Sequence, residues 1–275
     1  MRRASWHISL LLVGAALLHG GVVHRYSFDG EGKGALDSIG AKNGTITGGA
    51  TLKGEGFLTL DGSNDQVELP AGLVSKLNST TIETWVTWKG PATSQWQNVL
   101  LLGNGSSHWM YLTPNAQGKA RFAIAGGGAE RKAYATAPIA ADGKSRTHLA
   151  VTVDAGTDSA YFYVNGIQKG SVRRVPKLTA FEDTANFIGK PLYRGFPNFR
   201  GDIHEIRIHD KALQPDKVQK SAQFGPDMLL GPIINLFQAD KEVVRSNGEV
   251  ILTWNASAGA KVTIEPSVVA DAANT

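Results

Sequence analysis

The chain has 275 residues and no cysteine, with 28 Lys and Arg against 24 Asp and Glu. The absence of cysteine excludes disulfide bridges, thiol nucleophiles and cysteine-based metal sites. The small positive charge gives no support to nucleic-acid binding, because the only dense basic run, Arg173, Arg174 and Lys177, has the character of a solvated loop.

The first 21 residues have the pattern of an export signal. Met1, Arg2 and Arg3 form a basic start, and an apolar run follows from Ile8 to Leu18. This order predicts a signal peptide over residues 1–21 and an exported protein in the periplasm, at the cell surface or outside the cell. The apolar run is shorter than the roughly 20 residues that span a bilayer, so we expect no membrane span in the mature chain.

Short segments that alternate apolar and polar residues follow one another after the signal. Glycine is frequent, at 32 residues, and long helical periodicity is scarce, which together predict an all-β sandwich or barrel. A short helix is predicted over 215–222, where Pro215 suits the first helical turn. The predicted strands are 22–28, 57–60, 66–69, 81–88, 99–102, 109–112, 121–125, 148–153, 160–164, 186–188 and 202–209.

The segment Phe57–Pro70 predicts a hairpin around which the rest of the chain is organised. Leu58 and Leu60 alternate with polar residues before the stretch D-G-S-N-D, and Val67 and Leu69 do so after it. Asp-Gly supplies the positive φ of a tight reversal, and the Asn and Asp side chains can bond their own backbone. We therefore expect a turn with a polar tip that fixes the register of two strands.

Three later stretches, in order, carry a family resemblance. They are T-I-E-T-W-V-T-W at 81–88, H-L-A-V-T-V-D with Y-F-Y-V-N-G at 148–166, and F-I-G with F-R-G-D-I-H-E-I-R-I-H-D-K-A-L at 187–213. Together with D-G-S-N-D they resemble the motifs of bacterial laminin-G-like domains of the concanavalin A-like lectin/glucanase superfamily. The resemblance covers 22–224 and implies a two-sheet antiparallel jelly-roll sandwich. It also implies a non-catalytic module for adhesion or for binding a glycan or a cell-surface protein.

The resemblance also raises the question of calcium. Related sandwiches hold a structural calcium near the N-terminal strand, using a late-strand acid. Here His204 stands at that position, and Asp202 lies two residues earlier on the same strand face. The spacing of D-G-S-N-D fails the EF-hand pattern, because a glutamine follows where that loop needs glycine. Capping of turns by carboxylates is the alternative. The candidate calcium ligands are Asp29, Asp61, Asp65 and Asp202.

Glycoside hydrolases of the same superfamily place two carboxylates on one strand. Retaining enzymes need them about 5 to 5.5 Å apart. Here Glu83 shares its strand face with Trp85 and Thr87, and Glu205 also lacks an acidic residue two positions away. We therefore predict no catalytic activity. A divergent hydrolase with carboxylates from different strands, and a ligand-free structural spacer in an envelope protein, stay open as alternatives.

Aromatic and amide residues in two loop-rich stretches, 96–109 and 193–199, favour carbohydrate binding. Sugar rings stack their C–H faces on exposed aromatic rings, and their hydroxyls bond to amides. The alternative is that these aromatic residues fill the core or close the ends of the sandwich. The candidate ligand-binding residues are Trp96, Asn98, Asn104, Trp109, Tyr193 and Asn198.

The C-terminal part of the chain has a different pattern. Residues 225–232 contain two Gly-Pro pairs and predict a linker. Three strand-like segments follow over 233–275, with an L-T-W motif that resembles the opening half of immunoglobulin-like modules. A complete immunoglobulin fold needs roughly 100 residues. We therefore expect a partial immunoglobulin-like β segment after the sandwich.

Overall fold

The computed structural model describes residues 5–9, 21–229, 234–239, 252–256 and 265–269. The chain divides into two compact units. One is Gly21–Leu229, and the other combines Met1–Gly20 with Leu230–Thr275.

The described strands are numbered here in chain order. The first ten are β1 (Ser5–Ser9), β2 (Val22–Tyr26), β3 (Glu31–Gly32), β4 (Gly34–Ala35), β5 (Gly44–Thr47), β6 (Leu52–Lys53), β7 (Leu58–Asp61), β8 (Gln66–Leu69), β9 (Thr80–Trp88) and β10 (Leu100–Gly103). The next eight are β11 (His108–Ala116), β12 (Lys119–Gly126), β13 (Arg131–Tyr134), β14 (Arg146–Asp154), β15 (Ser159–Val164), β16 (Ile167–Arg173), β17 (Asn186–Ile188) and β18 (Arg200–His209). The last three are β19 (Ile234–Ala239), β20 (Leu252–Ala256) and β21 (Glu265–Val269). The helices of the described residues are α1 (Pro215–Phe224) and a 3-10 turn, Leu178–Ala180.

Two antiparallel sheets build the unit Gly21–Leu229. Sheet I has the strand order β16-β15-β14-β9-β18-β2, with β7 also paired to β18. Sheet II has the order β13-β12-β11-β10-β17-β8-β5-β4, and β3 and β6 form a separate small pair. The prediction of a two-sheet antiparallel sandwich is confirmed.

The core lies between the inward faces of the two sheets. Val86 and Trp88 of sheet I are fully buried there, together with Leu102, Phe122 and Ile188 of sheet II. Successive residues of a strand point to opposite faces, so the same strands also present a second set of side chains outward. Each large apolar side chain that is buried contributes about 1.5–3 kcal/mol to stability.

The predicted hairpin at 57–70 is wrong. Strand β7 pairs with β18 in sheet I, whereas β8 pairs with β5 and β17 in sheet II. The stretch D-G-S-N-D is therefore a corner that carries the chain from one sheet to the other. The Asp65 carboxylate stabilises this corner, because it accepts hydrogen bonds from the N–H groups of Asp61 (3.1 Å) and Ala50 (2.8 Å).

The structure agrees with the predicted second hairpin, the turn that follows it and the helix. Strands β14 and β15 form the predicted hairpin, and Asn165 and Gly166, both with positive φ, make the tight turn between β15 and β16. The predicted helix 215–222 is α1, extended to Phe224. Strand β16 has no counterpart in the prediction, since most of its residues are exposed and do not alternate clearly.

A bulge in β18 sets the outward face of sheet I. The register with β9 shifts between Ile203 and Glu205, so that His204 is an extra residue in the strand. After the bulge, Glu205 lies opposite Trp85 and Arg207 lies opposite Glu83. Helix α1 covers this face, where Val218 packs on Ala150 and Tyr163.

The second unit contains two antiparallel pairs among its described residues, β1 with β21 and β19 with β20. The boundaries of the predicted signal peptide (1–21), linker (225–232) and partial immunoglobulin-like segment (233–275) stay predictions, and much of these ranges lies outside the described residues. In the described part of the chain, no helix has the length and apolar character that crossing a bilayer requires.

Candidate functional site

A groove of about 460 Å³ opens on the outward face of sheet II. Leu101 and Phe187, paired across β10 and β17, line it, whereas their neighbours Leu100 and Ile188 face the core. The loop 190–198 forms one side of the groove. A smaller cavity of about 290 Å³ elsewhere on the unit has no aromatic side chain in its lining. The groove is therefore the better candidate for ligand binding.

The loop 190–198 is closed at its base. The N–H of Phe199, which is fully buried, donates to the carbonyl of Gly189 at 2.7 Å. Just inside this closure, the Asn198 amide donates to the carbonyl of Asp65 at 3.0 Å and fixes the loop to the inter-sheet corner. The loop thus returns to its starting point and leaves its middle residues at the surface.

Trp96 is held in an uncommon backbone conformation beside this loop. Its φ is +66°, a region that bulky residues rarely adopt. Its N–H donates to the carbonyl of Asn115 at 2.9 Å, and the Asn98 amide donates to its carbonyl at 3.2 Å. Gln97 anchors the segment inward, accepting a hydrogen bond from the Trp88 indole at 2.6 Å. Strain of this kind persists only where the surroundings enforce it, and it clusters at functional sites.

Asn98 also ties Trp96 to the loop. Its side-chain oxygen accepts a hydrogen bond from the N–H of Leu192 at 3.1 Å, so one buried amide joins the two segments. Asn98 was predicted to contact a ligand, but its side chain is 2% exposed and engaged by backbone groups. In this position it aligns the site without reaching its surface.

Three aromatic rings meet beside the groove, and two of them, Tyr193 and Phe196, line it. The Trp96 ring centroid lies 6.4 Å from that of Tyr193 and 6.0 Å from that of Phe196, and the Tyr193 and Phe196 rings are 6.4 Å apart. Tyr193 is 46% exposed, Phe196 is 39% exposed and Trp96 is half-buried. We call Trp96, Tyr193 and Phe196 the aromatic cluster. Its apolar ring surface is directed to solvent, where a ligand can reach it.

Arg121 supports the aromatic cluster from the sheet. Its guanidinium lies 5.0 Å from the Trp96 ring centroid and 5.3 Å from that of Tyr111, and the side chain is buried. It also donates to Glu130 and to the Tyr111 hydroxyl. Burial raises the pKa of Tyr111 above its ordinary range, against the opposing charge of Arg121, so the phenol stays protonated. Cation–π contact of this kind holds the Trp96 ring in place.

The structure brings some predicted ligand residues together and separates others. Trp96 and Tyr193 meet in the aromatic cluster, and Asn198 lines the groove. Trp109 is only 9% exposed and stacks on Tyr111 beneath the surface. Asn104 caps its own turn by accepting hydrogen bonds from three following N–H groups, and its amide donates to Glu182 at 2.8 Å.

The four predicted calcium ligands have other partners or stand exposed. Asp61 accepts a hydrogen bond from the N–H of Ser63, and Asp65 caps the inter-sheet corner described above. Asp202 contacts the Lys89 ammonium at 2.6 Å and the Thr59 hydroxyl at 2.7 Å. Asp29 lies at the surface. The described residues contain no group of three His, Cys, Asp or Glu that could hold a metal ion, and calcium binding stays a prediction.

Glu83, one of the two acids considered for hydrolysis, lies under α1. Glu83 is 0% exposed and accepts hydrogen bonds from His148 (3.2 Å), His209 (2.9 Å) and Ser221 of α1 (3.0 Å). Burial favours a raised pKa for the Glu83 carboxyl, but the hydrogen bonds and charges of the two histidines outweigh it and hold the pKa below its ordinary range. Glu83 is therefore an ionised, enclosed carboxylate.

Glu205 is enclosed in the same way. It pairs with Arg207 of its own strand and with Arg25 at 2.8 Å, and it accepts a hydrogen bond from the N–H of Asp227 at 3.0 Å. Arg207 in turn donates to Ser221 at 3.3 Å, which links this group to Glu83. We call the connected set the buried polar network; its members are Arg25, Glu83, His148, Glu205, Arg207, His209 and Ser221.

The laminin-G family model described as concanavalin A-like lectin/glucanases superfamily matches residues 61–219. No curated protein matches the chain. A similar solved structure is domain 4 of AbnA, a GH43 extracellular arabinanase from Geobacillus stearothermophilus, in complex with arabinotriose. It is 26% identical, with a TM-score of 0.61, and the match covers 72% of this chain and 97% of that domain.

Two more distant structures share the fold. Trypanosoma rangeli sialidase in complex with sialic acid is 17% identical, with a TM-score of 0.57, and the match covers 75% of this chain and 33% of the sialidase. The binding domain of botulinum neurotoxin DC in complex with rat synaptotagmin II is 13% identical, with a TM-score of 0.58, and the match covers 75% of this chain and 52% of that one.

Proposed function

The chain belongs to the concanavalin A-like lectin/glucanase superfamily, and on that basis we propose that it is a carbohydrate-binding module whose aromatic cluster stacks on sugar rings. The observation that carries the proposal is the aromatic cluster itself, three rings gathered beside a groove on the outward face of sheet II, with Tyr193 and Phe196 in its lining. Aromatic rings with one free face suit the C–H surface of a sugar, and the groove adds the polar side chains of Gln66 and Asn198.

Similarity to a sugar-bound domain supports this proposal. Domain 4 of the arabinanase, which is matched over almost its whole length, was solved with arabinotriose. We propose for this chain the same broad role, recognition of a glycan by a single sandwich, without assigning it the same sugar.

We also propose that the module is not an enzyme. Its two candidate acids, Glu83 and Glu205, are each 0% exposed and are engaged in ion pairs and hydrogen bonds. A hydrolytic acid must reach the glycosidic oxygen of its substrate. This enclosure favours a structural role for both residues, and it supports binding over the alternative of a divergent hydrolase.

We also propose that the protein is exported. This proposal is supported by the basic and apolar pattern of residues 1–21. Expression of the full chain with a C-terminal tag, followed by N-terminal sequencing of the secreted product, tests it. A mature start near Val22 is the expected result, and an intact Met1 on an intracellular product would contradict it.

The binding proposal is tested by affinity electrophoresis against soluble polysaccharides such as arabinan, galactan, β-glucan and polygalacturonate. We expect retardation by at least one of them. Trp96→Ala and Tyr193→Ala each remove one stacking surface and should weaken binding about tenfold, the equivalent of about 1.4 kcal/mol.

The matched control is Phe224→Ala, which removes an exposed aromatic residue at the end of α1, away from the groove. Its affinity should equal that of the unmodified protein. If Phe224→Ala weakened binding as much as Trp96→Ala, or if no polysaccharide retarded the protein, the aromatic cluster would not be a glycan site.

A further inference from the structure

The groove carries two cations and no acid. Lys190 and Arg194 line it, and the other lining residues are apolar, aromatic, amide or glycine. The ion pairs of the described residues are all made by other side chains. Two positive charges therefore face the groove without a carboxylate to neutralise them.

Lys190 is placed at the floor of the groove. Its ammonium lies 3.8 Å from the centroid of the Phe187 ring, which is one of the floor residues. Contact with the ring attracts the cation but leaves its charge uncompensated. The ammonium is thus held beside the position that a ligand would occupy.

One acid, Glu68, stands at the border of this region. It lies opposite Phe187 across the pair of β8 and β17. Its carboxylate accepts a hydrogen bond from the Gln66 amide at 3.3 Å and makes no ion pair with Lys190. The local charge is therefore net positive even when Glu68 is counted with Lys190 and Arg194.

We infer that the ligand of the groove is an acidic sugar. Its ring stacks on Tyr193 and Phe196, and its carboxylate pairs with Lys190 and Arg194. The inference rests on the proposed function, because it names the class of glycan bound at the same site. Charge-assisted hydrogen bonds to a carboxylate are about twice as strong as neutral ones, so the two cations select an anionic ring over a neutral one. A sulfate ester carries the same negative charge as a carboxylate, and the binding experiment distinguishes these two kinds of ligand.

The test uses isothermal titration calorimetry with four probes. Polygalacturonate carries the carboxylate, and its fully methyl-esterified form keeps the backbone without the charge. Dextran sulfate and dextran provide the corresponding pair for a sulfate ester. We expect the tightest binding to polygalacturonate. That binding should weaken between about 0.05 M and about 0.5 M NaCl, because the screening length falls from about 14 Å to about 4 Å.

Charge variants identify the residues responsible. Lys190→Gln and Arg194→Gln should each weaken binding of polygalacturonate about fivefold, as expected for a partly exposed ion pair, and leave binding of the methyl ester unchanged. Glu68→Gln removes the bordering acid and should tighten binding of polygalacturonate. The control is Lys169→Gln, which removes the same charge from an exposed position on β16 of sheet I.

The outcomes separate this inference from the proposed function. Equal affinity for polygalacturonate and its methyl ester, lost in Trp96→Ala but retained in Lys190→Gln, would overturn the acidic ligand and leave a neutral glycan-binding module. Tighter binding of dextran sulfate than of polygalacturonate would contradict the inference that the anionic group of the ligand is a carboxylate. No binding of any glycan would overturn the proposed function together with this inference.

Discussion

The outward faces of the two sheets are built from the same alternation of side chains but are used in different ways. On sheet I, α1 covers charged residues and joins them into the buried polar network. On sheet II, a loop surrounds exposed aromatic rings and leaves two cations without acidic partners. The difference teaches that polar and aromatic residues on an outward face acquire their role from what covers them. Covered groups hold the fold together, whereas uncovered ones can meet a ligand.

The covered face is expected to give the largest effect on stability. Glu83→Gln removes the negative charge that three groups share, namely His148, His209 and Ser221. Breaking a buried ionic group by changing one partner costs about 3–5 kcal/mol. Urea unfolding measures the loss. The control is Glu55→Gln at an exposed site, which should change stability by less than about 0.5 kcal/mol.

Measuring glycan binding by Glu83→Gln tests whether the two faces act independently. At temperatures where Glu83→Gln remains folded, its affinity for a polysaccharide should match that of the unmodified protein, because the network faces away from the groove. A loss of affinity equal to that of Trp96→Ala, in a folded variant, would show that the two faces are not independent.

Acid should act first on enclosed carboxylates, namely Glu83 of the buried polar network and Asp37, which is buried outside that network. Glu83 and Asp37 both have lowered pKa values. For Asp37, burial favours a higher pKa, but bonds from His24 and from backbone N–H groups outweigh it. A carboxylate with a lowered folded pKa stabilises the protein above its unfolded pKa of about 4, and this contribution is lost as the pH falls further.

Each such group contributes a slope of up to about 1.4 kcal/mol per pH unit below about pH 4. Urea unfolding at a series of pH values measures it, and Asp37→Asn should flatten the acid limb. An unfolding free energy that is constant down to about pH 2 would contradict the ionised, enclosed state of these acids.

The smallest expected effect comes from the residue that aligns the uncovered face. Asn98→Ala removes the hydrogen bonds to Trp96 and Leu192 and should cost about 1 kcal/mol for each bond in urea unfolding. Affinity for the glycan should fall as well, because Trp96 and the loop 190–198 lose their common anchor. Asn78→Ala, at an exposed position outside the groove, is the control. Unchanged affinity in a destabilised Asn98→Ala protein would show that the aromatic cluster needs no such alignment.

The fold was largely predictable from sequence because its motifs lie within single strands. The alternation around Trp85 and around Ile206 shows which residues share a face, and the turn Asn165-Gly166 shows where the chain reverses. Alternation does not show which strands pair. Residues 57–70 therefore looked like a hairpin, although β7 and β8 join different sheets through partners more than a hundred residues away, in β18 and β17.

The candidate site was predictable only in part, because local patterns do not show which distant segments meet. Trp96 and Tyr193 were identified as loop aromatics, and the structure brings them together. Phe196 was in the same stretch but was not selected, and Arg121 gave no signal because it lies within a strand. The enclosure of Glu205 depends on the bulge at His204 and on the segment after α1, where the N–H of Asp227 bonds its carboxylate. Neither the bulge nor the packing of a distant segment is visible as a local pattern.

The closure of the loop 190–198 has a consequence for how such a module can change. One backbone hydrogen bond between Phe199 and Gly189 joins the ends of the loop, and the strands on either side keep their register through their own partners. Residues 190–197 can therefore be exchanged as a cassette, in evolution or in the laboratory, without rebuilding the sandwich, whereas Asn198 keeps the loop tied to the inter-sheet corner. New ligand preferences would then arise by replacing eight residues on an unchanged scaffold.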